Sequence, residues 1–158
     1  MNKLYPLALA FGVAFFGSVS AWATKKPPRE PNGVRVADSA QIAIYVVGKE
    51  SRPFAQTGFQ LNIFEASVVV KQTQKHGRQI IRSRFEAIDA DLLDPNMWQV
   101  ADFNGDGLDD FRAVAQITKK GCRVWSTQTW QPVRERFTFS EQIGYHTDAD
   151  GKPVKSCR

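Results

Sequence analysis

The chain has 158 residues, 42% of them hydrophobic and 23% charged, which gives room for one domain with its own core and not for several. Twenty-one Lys and Arg against sixteen Asp and Glu make a formal charge of +5. Two cysteines are too few for a disulfide-dense mini-protein.

Met1 to Ala23 reads as a secretory signal. Lys3 supplies the positive start, Leu7 to Phe16 the apolar run, and Ala21-Trp22-Ala23 a small-x-small cleavage site. The apolar run is too short for a comfortable membrane span. No cysteine lies near the cleavage site, so no lipid anchor is expected and the mature chain is expected in the periplasm or outside the cell. Removing Lys3 with the signal lowers the charge to +4. Thr24 to Gly33 is rich in proline and charge and reads as a disordered linker. Residues 34–158 are then the folded domain.

Within that domain the pattern is that of strands. Ile42, Ile44 and Val46 share one face; Phe59, Leu61 and Ile63 alternate in the next segment, with Phe64 on the other side. Ser67 to Gln74 continues a strand, Lys75-His76-Gly77-Arg78 turns the chain, and Gln79 to Ile88 returns. A polar loop over Asp89 to Asn96 holds at most one helical turn. Trp98 to Asp102, Leu108 to Thr118, Cys122 to Gln128 and Arg134 to Ile143 follow as strands. No amphipathic segment of helix length follows the signal. The expectation is a single compact all-β domain of short antiparallel strands, a propeller-like meander, barrel or sandwich. Trp98, Phe103, Phe111, Trp125, Trp130, Phe137 and Phe139 are expected to fill its core. Cys122 and Cys157 are expected to pair in an oxidising compartment.

The densest chemistry lies in Asp102-Phe-Asn-Gly-Asp-Gly-Leu-Asp-Asp110. Oxygen-bearing side chains stand at the first, third, fifth and ninth positions: Asp102, Asn104, Asp106 and Asp110. Gly107 at the sixth allows a sharp turn, and the Leu108 carbonyl is the expected backbone ligand. Such alternation wraps a chain around one hard cation, so Ca2+ is the expected cofactor; Zn2+ would want the His or Cys that the loop lacks. An EF-hand closes on a glutamate at position twelve, which here is Ala113. The flanks read as strand, so a hairpin loop closing on Asp110 is expected instead. A metal-free, Asx-rich tight turn is the plainer alternative.

Charge is unevenly spread. From Phe85 to Phe111 there is no Lys or Arg, yet Glu86, Asp89, Asp91, Asp94, Asp102, Asp106, Asp109 and Asp110 lie there. The rest of the chain is basic, which is expected as a solvated surface with no nucleic-acid partner. His76 and His146 stand in no zinc spacing, and no nucleophile signature occurs. Paired aspartates could serve a glycosidase, but here they are better used as calcium ligands. A binding protein and not an enzyme is therefore expected. Arg52 and Phe54 at the tip of Lys49 to Gly58, together with Tyr145, are the candidate partner contacts.

Val100 to Phe111 resembles the FG-GAP or VCBS calcium-loop repeat. The wider chain resembles bacterial periplasmic immunity proteins that neutralise lysozyme-like effectors of type IV secretion. In that family an aromatic strand pair and then a phenylalanine-bearing strand follow the aspartate loop; Val124-Trp125, Trp130 and Arg136-Phe137-Thr138-Phe139 take those places. The resemblance implies a peptidoglycan hydrolase as the partner. A generic FG-GAP-like adhesion or envelope-assembly module is the alternative.

Overall fold

The computed structural model describes residues 29–147 and 152–157. The signal segment Met1 to Ala23 and the start of the linker lie outside the described residues, as do residues 148–151. Among the described residues no helix is long and apolar enough to cross a membrane.

The domain is all-β. Nine strands follow in order: β1 Val34–Asp38, β2 Ile42–Phe54, β3 Phe59–Thr73, β4 Gly77–Ile88, β5 Trp98–Ala101, β6 Asp110–Ile117, β7 Arg123–Gln131, β8 Arg136–Thr147 and β9 Pro153–Ser156. A single helical turn, Pro95–Met97, precedes β5; the Asp94 side chain caps it by accepting from the Asn96 amide. The strands form one open sheet in the order β1-β2-β3-β4-β6-β7-β8-β9, with β5 also on β6. All pairings are antiparallel except β4 with β6, which is parallel and rests on the one pair Ile88 and Gln116.

The strands are not uniformly short. β2, β3 and β4 run 13, 15 and 12 residues; the central one, β3, has no proline or glycine to stop it, and its β-branched and aromatic residues from Leu61 through Val70 are buried on both faces. A bulge between Val46 and Gly48 leaves Val47 over and bends β2. Beyond it β2 and β3 form a solvated hairpin that turns at residues 55–58.

One core cluster joins both halves of the sheet. Ile42, Ile44, Val46, Phe64, Val68 and Val70 meet Trp98, Phe111, Val114, Trp125 and Trp130 there. Aromatic edges interlock along the seam: Phe85 to Trp98 at 5.3 Å and 84°, Phe111 to Phe137 at 4.9 Å and 65°. Such pairs contribute about 0.5–1.5 kcal/mol each beyond the area they bury. Trp98 Nε1 donates to the Leu92 carbonyl at 2.8 Å, so its polar edge is satisfied inside the core. A smaller cluster of Ala43, Tyr45 and Val69 occupies the outer face of β2 and β3.

Two aromatics depart from expectation. Phe139 is 60% exposed: it stands opposite Gln128, where a bulge shifts the β7–β8 register. Phe103 is half-buried, with its ring against Arg112 instead of in the core. Cys122 and Cys157 are bonded, with Cα atoms 6.1 Å apart. The bridge and the Cys157 amide, which donates to the Gly144 carbonyl at 3.1 Å, fasten the end of β9 to the sheet.

Candidate metal centre

The loop between β5 and β6 is organised by its own aspartates. β5 and β6 pair from Ala101 with Asp110 to Trp98 with Ala113, so Asp102 and Asp110 are brought together at the mouth of a hairpin. Asp102 Oδ1 accepts from the amides of Gly105 at 2.7 Å and Asp106 at 3.1 Å, and Oδ2 from Gly107 at 2.8 Å. The Gly107 amide, then those of Gly105 and Asp106, hold the Asp102 carboxyl below the usual carboxylate range despite some desolvation. Gly105 and Gly107 adopt φ of 77° and 83°, which any Cβ would strain; this is what curls the loop back onto Asp102.

Asn104 and Asp106 complete the turn. Asn104 Oδ1 accepts from the Asp106 amide at 3.0 Å, and its Nδ2 donates to Asp106 Oδ2 at 3.1 Å. Asp106 Oδ1 accepts from the Leu108 amide at 2.9 Å. Gln41, just before β2, clamps the far side: its Nε2 donates to the Gly107 carbonyl at 3.1 Å and its Oε1 accepts from the Asp109 amide at 2.9 Å.

Asp110 lies beneath the loop and is 0% exposed. Its Oδ1 accepts from the Trp130 amide on β7 at 2.8 Å and its Oδ2 from the Phe103 amide at 3.1 Å. Burial pushes its carboxyl up, the Trp130 and Phe103 amides oppose that rise, and the neighbouring Asp106 charge adds to it. A buried carboxylate repelled by a second one is a place where positive charge would be stabilising.

The donor chemistry of the loop therefore fits a hard divalent cation: oxygen ligands only, four carboxylates in nine residues, and a buried anion at the base. Among the described residues no three His, Cys, Asp or Glu side chains converge to form a metal cage. The loop oxygens are instead turned toward loop amides, the Asx-turn arrangement.

Arg112, two residues on, is the cation closest in sequence. Its guanidinium lies 4.5 Å from the Phe103 ring centre, 5.4 Å from Trp125 and 5.3 Å from Tyr145. Its Nε donates to Gln99 at 2.7 Å, and burial holds the group below the ordinary guanidinium range. Phe103 thus joins the acidic loop to an aromatic-lined arginine.

The expected contact residues divide. Arg52 is exposed near the end of the β2–β3 hairpin, and Phe54 is 38% exposed at its turn. Tyr145 is not a surface contact: it is 9% exposed and its ring stacks on Trp125 at 6.1 Å. Alternation along β8 turns it toward the core, which the sequence position near the chain end concealed.

Much of the acidic block is engaged locally. Asp91 pairs with Lys49 at 3.0 Å, and Asp89 accepts from the Gln60 amide at 2.7 Å. Sequence reasoning missed Gln41, whose partners lie 66 and 68 residues away, and Glu135. Glu135 accepts from the Lys75 amide at 3.0 Å and binds His76 Nδ1. His76 is exposed in the β3–β4 turn and links it to the β7–β8 turn through Glu135.

Comparison with family models, with characterised proteins and with solved structures finds no match to this chain.

Proposed function

We propose that this chain is an exported, calcium-stabilised binding protein that occludes a lysozyme-like cell-wall hydrolase. Asp102, Asn104, Asp106, the Leu108 carbonyl and Asp110 would hold the ion, which when bound neutralises the crowded carboxylates. The work of the protein is contact, not turnover.

The observation that carries this reading is Asp110. Fully buried and bonded to both Phe103 and Trp130, it ties an acidic loop rigidly to the central strands. A loop built in this way stiffens a scaffold. What the scaffold presents is the β2–β3 hairpin, whose exposed end offers Arg52 and Phe54, the cation and aromatic typical of contacts that dominate interfaces. The acid-rich mouth of a hydrolase cleft would accept that arginine, and the ring would desolvate beside it.

The test is a turbidity assay of peptidoglycan lysis by a panel of purified muramidases, with and without the protein. Slowed lysis by at least one of them, matched by its capture on immobilised protein, is the expected result. Lysis unchanged, with no hydrolase bound, contradicts the reading.

A further inference from the structure

β4 pairs with β3 along its whole length, but on its other side it meets β6 only at Ile88 and Gln116. Among the described residues nothing pairs with that edge from Gly77 to Ala87. A row of unpaired amides and carbonyls of this length is a template for another strand. Sheets commonly blunt such edges with proline, charged side chains or a bulge; this stretch has no proline, the β3–β4 register shifts only next to the turn, between Val70 and Thr73, and its charges, Arg78, Arg82, Arg84 and Glu86, leave a net positive edge that selects an acidic strand over a basic one.

A cleft of about 380 Å³ runs beside the edge. Ser83, Arg84, Phe85 and Glu86 all line it, although consecutive residues of a strand point to opposite faces. That combination places the cleft along the backbone edge itself. Its floor is the inner face of β6 to β8, with Phe111, Phe137 and Gln128. Arg84 and Arg136 stand exposed at its rim; Glu86 lies 3.7 Å from Arg84 and offsets part of its charge. Phe139, the cross-strand neighbour of Gln128, leaves a further apolar ring in solvent at this place.

We infer that the free edge of β4 and this cleft form a docking site for an extended segment of a protein partner, one that alternates apolar with acidic side chains. Main-chain hydrogen bonds to β4 supply the affinity common to strand addition, and alternate side chains supply the selectivity. Those turned inward lie on Phe85, Phe111 and Phe137; those turned outward lie beside Arg82 and Arg84. A second copy of the chain is the weaker occupant: two antiparallel β4 edges centred between Arg82 and Arg84 would set arginine opposite arginine, and only a pairing centred on Phe85 would set each Arg84 opposite Glu86 without a like pair. The inference goes beyond the calcium loop and the hydrolase, and stands whether or not either is confirmed.

The test uses the folded chain, isotope-labelled for NMR, and synthetic peptides of about ten residues, the length of a long strand. One peptide alternates valine with glutamate, one valine with lysine, and one repeats the first with methylated backbone nitrogens. The glutamate peptide is expected to shift and protect amides between Gly77 and Ala87, and the methylated one to leave them unchanged. The double substitution Arg84→Glu with Arg136→Glu, both exposed positions, is expected to weaken the glutamate peptide at least roughly tenfold and to favour the lysine peptide. No shifts at millimolar peptide, shifts confined to another strand, or equal binding of the methylated peptide would overturn the site. A concentration-dependent dimer protecting these same amides would overturn the proposed occupant in favour of a second copy.

Discussion

The Trp130 amide donates to Asp110 Oδ1 at 2.8 Å, across twenty residues of sequence and from β7 to the first residue of β6. Because Asp110 Oδ2 accepts from Phe103, one carboxylate holds the loop, β6 and β7 in a fixed relation. Asp110→Ala would leave two amides without their acceptor. An unpaired buried donor costs roughly 1–3 kcal/mol, so for two of them a loss of about 2–6 kcal/mol is expected in urea melts of the metal-free protein. Asp110→Asn keeps an acceptor oxygen and should lose less. Equal losses for the two would show that charge, not hydrogen bonding, sets the effect.

The bridge between Cys122 and Cys157 spans 35 residues. Chain-entropy arguments assign a loop of that size about 3–4 kcal/mol. Replacing both cysteines by serine should lower stability by an amount of that order, with the largest rise in hydrogen exchange at Pro153–Ser156 and its partners on β8. Unchanged exchange on β9 would mean that the strand is held by its ladder alone.

Glu135 sits at φ 47° in the β7–β8 turn and grips His76 and the Lys75 amide. Desolvation pushes its carboxyl up, but the hydrogen bonds from His76 and Lys75 outweigh that, and the group lies below its ordinary value near 4.5. A depressed folded value means stability that is present above the unfolded value and lost as pH falls through the folded one. Glu135→Gln should therefore melt lower than the parent at neutral pH, and the gap should narrow as pH falls below the ordinary carboxylate value and on through the lowered folded one. A gap that does not narrow at all across an acid titration would contradict this linkage.

Arg52 and Phe54 lie on the hairpin end, opposite Leu61 and Phe59, and neither belongs to the main core cluster. Truncating both to alanine should leave the fold intact and change stability by no more than about 0.5 kcal/mol. Under the proposed function the same variant should inhibit lysis at least roughly tenfold less well, since contact residues of this type are worth about 2 kcal/mol or more. Full inhibition by the variant would move the contact surface elsewhere.

Strand class was readable where alternation is strict. Ile42, Ile44 and Val46 do face the core, and Ala43 and Tyr45 the other side. The pairing of Cys122 with Cys157 was also readable, because only two cysteines exist. Other features were hidden because they depend on contacts distant in sequence. Gln41 reaches the acidic loop only through the folded sheet, and Phe139 shares its spacing with Phe137 yet stays in solvent next to a register shift. Tyr145 was misplaced for a related reason: its position near the chain end suggested the surface, while its stacking on Trp125 turns it inward. His76 does lie exposed in its turn, and only its contact with Glu135, 59 residues away, was hidden. β1 and β9, at the two edges, carry too few residues for a pattern to register.

The ion itself is the heart of the account, and thermal unfolding reads it most directly. Binding to the native state alone stabilises by about 2.7 kcal/mol when calcium exceeds its Kd a hundredfold. The account expects EDTA to lower the melting temperature, added calcium to restore it, and Asp106→Ala to make the melt indifferent to both. A melting curve of the parent chain that superimposes with chelator and with excess calcium would contradict it.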